Sequence, residues 1–498
     1  MPRNVIIMHT DQQRYDSLGC CGDPSGTTPN IDALATDGCI GDRHMTANPV
    51  CEPSRASLFT GLYPQAHGVW SNGVPLSRKD YTTHNDMQGR FNTVIEPLTM
   101  ADMFANAGFD TVSFGKLHLT PNLAPESYNY PECWRIMQRP DYADWTGPYF
   151  GFRHVEITLG HGEQPCDGGH YGRWLNENHP DVATQAKAYR DNHESLVPGV
   201  NDLHASRVPG AAHNTTWLAD RATSYITQDR PTDKPFFLFV GFPDPHHPFT
   251  PSADVLEALG EMKLNECADK DGKGLGWRPE GLTDQAHYDL TEEQWRTIRR
   301  FTAAMIKQVD TAVGRIVQAV KDTGLWDDTV ILFTSDHGDY LGDHGMLRKG
   351  YHADRSLVHV PFVLRSPGHT LPSRFDEPMS NVDVMPTLAE LAGIDIPHCT
   401  QGRPLSAILN DEDSTAYTYC YSGQRDHANY TIYDRQYRLT WYPAYDRYGL
   451  FDHQNDPAEC NDLGSDPAFN EVAQLLLSRL KEHAIKAANP IGARVSPW

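Results

Sequence analysis

The chain has 498 residues, enough to bury a large core and to hold one large α/β domain with a smaller one beside it. With 65 acidic against 42 basic residues the net charge is −23, which argues against nucleic acid as a partner and predicts that anionic polymers are repelled at long range. Charged residues at 21% and aromatics at 10% exclude a disordered chain, and no apolar run approaches the ~20 residues needed to span a bilayer, so no membrane is expected.

The ten cysteines are scattered without a repeated spacing and read as neither a disulfide framework nor a zinc site. The N-terminus enters a strand at Val5-Ile6-Ile7-Met8 with no room for a signal peptide, so the expected location is cytoplasmic. That run has the continuous apolar character of a strand buried on both faces, and it stops at Asp11-Gln12. In open parallel sheets ligands collect beyond the carboxyl ends of strands, so Asp11 is either a metal carboxylate or a simple turn residue, with Gln12 a carbonyl ligand or its neighbour.

Thr28-Pro29-Asn30 opens a helix with a Thr cap and Pro inside the start. Cys51 stands just ahead of Pro53-Ser54-Arg55-Ala56, the first turn of another helix, whose free N–H groups favour an anion. Arg55 adds a charge suited to a tetrahedral oxyanion. Taken alone, Cys51 reads more readily as an inert buried thiol than as a nucleophile. His67 reads as a structural hydrogen-bonding residue.

A helix over 98–107 and a strand over 109–114 deliver Gly115-Lys116-Leu117-His118. If extended, Lys116 and His118 point the same way; in isolation the pair reads first as a solvated turn, and otherwise as one group to neutralise charge and one to transfer protons. Residues 120–230 read as an irregular insertion over the cleft, and no spacing among His154, His161, His170, His193, His204 and His213 supports a metal site. The strand 235–240 runs into Pro245-His246-His247-Pro248. A polar loop over 252–290, containing Gly281, precedes the capping box Thr291-Glu292-Glu293-Gln294 and a long amphipathic helix. The strand 329–334 delivers Asp336-His337, and Lys349 follows, with His344 and His352 read as structural. From about 410 the pattern changes to short Tyr-rich strands and a helix from about 470 to 488. The domain reading is therefore a catalytic α/β domain over 1–408 and a C-terminal α+β subdomain over 409–498.

Cys51-Glu52-Pro53-Ser54-Arg55 followed by Thr60-Gly61 resembles the motif of the type I sulfatases of the alkaline phosphatase superfamily, although Leu62 stands where a basic residue is common. Gly115-Lys116-Leu117-His118, Pro245-His246-His247-Pro248 and the acids after the first strand and before His337 resemble further motifs of that family. Asp11-Gln12 departs from the pair of aspartates many members carry, removing one negative charge.

The resemblance implies a large, mostly parallel mixed sheet flanked by helices, with a small C-terminal antiparallel sheet and helix. It implies that Cys51 is oxidised by a formylglycine-generating enzyme and that the aldehyde hydrate is the nucleophile. Asp11, Gln12, Asp336, His337 and the oxidised residue 51 would hold one divalent cation. Ca²⁺ is favoured, with Mn²⁺ or Mg²⁺ as alternatives. Arg55, Lys116 and Lys349 would neutralise sulfate oxygens, and His246, rather than His247, or His118 would protonate the leaving alcohol. Asn72 aligns with a substrate contact of phosphonate monoesterases. The expected activity is hydrolysis of a small sulfate ester, as in arylsulfatases. The alternative is a phosphonate monoester or phosphodiester hydrolase using the same nucleophile, and a homo-oligomer is left open.

Overall fold

The computed structural model describes residues 4–78, 97–279, 287–410, 417–423 and 427–488. Gly281 and the first three residues lie outside them. In chain order the strands are β1 (Asn4–Thr10), β2 (Cys39–Gly41), β3 (His44–Met45), β4 (Asp110–Gly115), β5 (His154–Ile157), β6 (Phe236–Gly241) and β7 (Thr329–Ser335). They continue as β8 (Phe362–Arg365), β9 (Arg374–Phe375), β10 (Met379–Ser380), β11 (Thr418–Ser422), β12 (Asn429–Tyr433), β13 (Tyr437–Tyr442) and β14 (Arg447–Asp452). Eight of them form one sheet in the order β5-β4-β6-β1-β7-β8-β2-β9. The five strands from β5 to β7 are parallel; β8 runs antiparallel to β7 and β2 antiparallel to β8. This is the mixed α/β sheet expected from sequence.

Residues Val5 to Met8 are wholly inaccessible, because both faces of the sheet are covered. Alternate side chains feed two cores. Val5, Ile7, Phe237, Phe239 and Leu332 face one, with helices α2 (Cys51–Thr60), α3 (Met100–Asn106) and α6 (Val384–Ala392). Ile6, Met8, Leu238, Val240 and Phe333 face the other, with α1 (Pro29–Thr36), α4 (Asn214–Ser224) and α5 (Glu292–Asp322). The period-2 geometry of a strand sorts the residues between the two cores.

Two readings change. The Thr28 side chain does not cap α1; the Asp310 carboxylate of α5 accepts from Asn30 N and Ile31 N at 2.9 and 3.0 Å instead. Residues 120–230 are not simply an irregular cover. They supply β5, the helices Gly169–Asn178 and Pro180–Arg190, and α4. The edge strand is four residues long, too short to declare a period.

The Thr291 capping box is present at the head of α5. The antiparallel sheet β11-β12-β13-β14 packs Tyr421, Ile432, Leu439 and Leu450 against Leu476 and Leu480 of α7 (Asn470–Ala487). A buried ion network ties this sheet to the main body: Arg438 reaches Glu459 at 2.5 Å and Asp354 at 3.4 Å, and Asp354 also receives Arg278. All ten cysteines are free thiols. Among the described residues no helix is long and apolar enough to cross a membrane.

Candidate active site

Parallel register brings the strand ends level. Thr10 pairs with Ser335, His9 with Gly241, and Gly115 with both Gly241 and Ile157. The residues that follow these ends therefore converge on one rim: Asp11 after β1, Lys116 and His118 after β4, His246 after β6, and Asp336 and His337 after β7. Helix α2, buried along its whole length, inserts its head into this rim and presents Cys51.

Cys51 Sγ lies 2.7 Å from Lys349 Nζ, 3.3 Å from His337 Nε2 and 3.7 Å from Asp11 Oδ1. Burial opposes ionisation of its thiol, yet Lys116, Lys349 and His337 hold it well below its ordinary range. Lys349 Nζ also donates to His246 Nε2 at 2.6 Å. Burial works against the Lys349 ammonium, but Cys51 and Asp11 raise its pKa. Lys116 Nζ contacts Asp11 Oδ2 and His161 Nε2.

Arg55 has no solvent exposure. Its guanidinium donates to Asp336 Oδ2 at 2.8 Å, to Lys116 O at 2.9 Å and to Asp11 Oδ2 at 3.2 Å. Where sequence reasoning turned it toward the ester, the structure engages it in clamping two carboxylates and the lysine backbone. Asp336 uses Oδ1 to accept from Gln12 N and His337 N at 3.0 and 2.9 Å. Burial and then the Asp11 charge raise the Asp336 pKa. At Asp11 burial and Cys51 push the same way, but Lys116, His246 and His161 outweigh them and lower it.

The Gln12 side chain is taken by other partners: Nε2 donates to Asp339 at 2.5 Å, and Oε1 accepts from His247 Nδ1 at 3.1 Å. Asn72 Oδ1 accepts from Glu52 N at 3.0 Å, which places it at the head of α2. Lys116 and His118 reach the site without the extended backbone expected of them, because Gly115 and His118 have φ of 102° and 55°. Glu132 holds that turn by accepting from His118 N, Leu119 N and Thr120 N. Burial and Lys116 lower the His118 pKa to about 3. His67 bonds Ser57 Oγ at 2.9 Å, a scaffold contact.

Two site residues escaped the sequence reading. Glu52, 1% exposed, brings Oε1 within 3.7 Å of His118 Nε2. His161 stacks on His246 with ring centroids 3.6 Å apart. The signal for His161 was positional, since it follows the short strand β5 as the other site residues follow theirs.

The family model described as Sulfatase matches residues 3–394. The chain belongs to the sulfatase family. This sulfatase is a sulfuric ester hydrolase, and a second model, described as N-sulphoglucosamine sulphohydrolase, C-terminal, matches residues 342–486. An arylsulfatase of Clostridium perfringens is 27% identical over 95% of this chain and 92% of its own. The multifunctional alkaline phosphatase superfamily protein PehA of Trinickia caryophylli is 28% identical over 97% and 96%. The crystal structure of the phosphonate monoester hydrolase of Agrobacterium radiobacter superposes with a TM-score of 0.74 at 25% identity, covering 97% and 96% of the two chains.

Members of this family generally use formylglycine and a divalent metal. The donors present fit a cation. One atom from each of Asp11, Cys51, His246 and His337 lies within 4.8 Å of the others, all buried. His337 Nδ1 donates to the Gly338 carbonyl at 2.9 Å, which leaves the Nε2 lone pair facing Asp11 and Cys51. An imidazole pinned through its other nitrogen is the usual orientation of a metal-ligating histidine. His246, which sequence reasoning assigned to proton transfer alone, enters this donor group, whereas the expected ligands Asp336 and Gln12 are not among the four; Asp336 Oδ1 stands beside it, 3.8 Å from His337 Nε2.

Proposed function

We propose that this sulfatase hydrolyses small sulfate esters of the aryl type, with Cys51 oxidised to formylglycine by a formylglycine-generating enzyme and one divalent cation held by Asp11, Asp336, His337 and residue 51. The observation that carries the reading is the surroundings of Cys51 Sγ, set at a buried helix head between Lys349, His337 and Asp11. When bound, the oxidised side chain and the cation together supply a hydrate oxygen of lowered pKa as the nucleophile. Two carboxylates favour a hard cation, Ca²⁺ first and Mg²⁺ next, while the imidazole also suits Mn²⁺.

The remaining chemistry belongs to the chain's own side chains. Lys116 and Lys349 neutralise the ester oxygens as charge builds on them. Arg55 fixes the two carboxylates and the Lys116 backbone, so the charges are in place before the ester arrives. With Nδ1–H on the His247 carbonyl and Nε2 beside the Lys349 ammonium, His246 is the residue placed to protonate the leaving oxygen. His118 is the second candidate for that transfer.

A phosphonate monoester or phosphodiester reading keeps the same residues, and the likeness to the Agrobacterium enzyme favours it, as do Gln12, Asn72 and the Asp336-His337 pair. Lys116 and His118 favour sulfate. Turnover of an aryl sulfate and an aryl phosphonate on one preparation separates the two, with the mass of the Cys51 peptide determined on the same sample. Sulfate turnover with a formylglycine mass is expected; an unmodified thiol in a fully active sample would overturn the nucleophile.

A further inference from the structure

His161 lies outside every motif that the sequence analysis connected with catalysis, yet it contacts Lys116 and His246 in the site. Its side chain is 16% exposed and its Nε2 is 3.6 Å from Asp11 Oδ2. At that distance the contact with Asp11 is not a hydrogen bond, whereas Lys116 Nζ lies within bonding reach of the same nitrogen. An ammonium only donates, so Nε2 is the acceptor. The ring stacks on His246 at 3.6 Å with 15° between the planes, and His246 stacks in turn on His247 at 4.1 Å.

The loop is built for this placement. It leaves β5 beside the end of β4, with Thr158 N donating to Gly115 O at 3.3 Å, so His161 and Lys116 come from adjacent strand ends. Gly160 and Gly162 flank His161 with φ of 75° and 56°, a conformation that side chains resist. A Cβ on Gly162 would stand 2.6 Å from Thr250 Oγ1 and 2.8 Å from Pro248 O, so the loop lies directly on the segment that carries His246. The His161 N–H is fixed by Gln164 Oε1 at 3.2 Å.

We infer that His161 is a positioning residue of the hydrolytic reaction: its Nε2 aims the Lys116 ammonium, and its ring face fixes the plane of His246. The inference rests on the roles given above to Lys116 and His246. It predicts two separable defects. His161→Gln keeps an acceptor near the Nε2 position but removes the ring, and His161→Phe keeps a ring but removes the acceptor.

The test measures kcat and KM for wild type, His161→Gln, His161→Phe and His161→Ala over aryl esters of rising leaving-group pKa, with melting temperatures alongside. In His161→Gln the loss should grow with leaving-group pKa, since proton delivery by His246 is impaired. In His161→Phe the loss should be uniform across the series and partly in KM. His161→Ala should show both defects, with kcat/KM reduced by about 10²-fold for the poorest leaving group. Binding of inorganic sulfate, which needs no turnover, should weaken about ten-fold in His161→Phe and by less in His161→Gln.

Variants that all stay within about two-fold of wild type would overturn the proposal. So would losses identical in His161→Gln and His161→Phe for every ester, or losses that follow a falling melting temperature. The wild type is run first on sulfates and phosphonates. Cleavage of phosphonates alone would replace the sulfate reading while the same comparison proceeds on the phosphonate series. Should neither be cleaved, sulfate binding still decides the role of Nε2.

Discussion

Lys349 Nζ and Cys51 Sγ stand 2.7 Å apart although 298 residues separate them in sequence. The contact joins a helix head to a loop beyond β7, and it places a cation where a nucleophile at position 51 would meet an ester oxygen. Replacing Lys349 with Ala should lower kcat by about 10²–10³-fold, the loss typical of removing one preorganised charge. Steady-state rates on an aryl sulfate check this, and a KM change with kcat intact would assign Lys349 to binding alone.

Cys51→Ser keeps a hydroxyl at the helix head but has no second hydroxyl with which to expel sulfate. It should lose roughly 10³-fold or more in turnover, with a covalent sulfate adduct detectable by mass on the peptide that carries the substitution. Rapid steady-state turnover by this variant would contradict the scheme.

Chelation tests the cation. Removing it should abolish turnover and lower the melting temperature, because an ion that binds only the folded state stabilises it by about 2.7 kcal/mol at a hundredfold excess over Kd. Restoring Ca²⁺, Mg²⁺ or Mn²⁺ in separate aliquots ranks the ions. Full activity after exhaustive chelation would remove the cation from the scheme.

Acid should weaken the fold through buried neutral histidines. Burial lowers His44 to about 4, and it lowers His67 and His352 to about 3, from an unfolded value near 6.5. Between those values the unfolded chain binds more protons than the folded one, so stability rises with pH and is lost as pH falls below 6.5. Each histidine contributes up to about 1.4 kcal/mol per pH unit in that window. Chemical denaturation at pH 7.5, 6.5 and 5.5 measures the slope, and His67→Gln should flatten it.

Glu459 tests the ion network beneath the small sheet. Its Oε1 accepts from Arg438 Nε at 2.5 Å and from His453 Nε2 at 2.6 Å, and its side chain is 1% exposed. Glu459→Ala leaves Arg438 buried without its nearest partner and should cost about 3–5 kcal/mol. Denaturant titration reads this directly; a loss under about 1 kcal/mol would mean that Asp354 alone satisfies Arg438.

Much of the site was legible because its residues follow apolar strands. Val5-Ile6-Ile7-Met8, Phe236 to Val240 and Thr329 to Thr334 announce themselves by continuous hydrophobicity, and the polar residues at their ends are then marked by position. The strand before His161 hid, being four residues long with His154 and Glu156 in it. A side chain's direction was equally hidden. Nothing local distinguishes an Arg55 that faces an ester from one that clamps Asp11 and Asp336, and nothing local turns the Gln12 carboxamide toward Asp339 and His247.

The sequence by itself determined the two-sided burial of the central strands, the presence of a helix at Pro53-Ser54-Arg55 beside Cys51, and the residue types available for oxyanion chemistry, since these depend on hydrophobic period and on neighbours a few positions away. The tertiary structure alone decided which of those side chains touch. Parallel pairing sets five strand ends level and brings Asp11, Lys116, His161, His246 and His337 into one cluster around Cys51. That alignment comes from hydrogen bonds between strands far apart in the sequence, which no local pattern in the chain encodes.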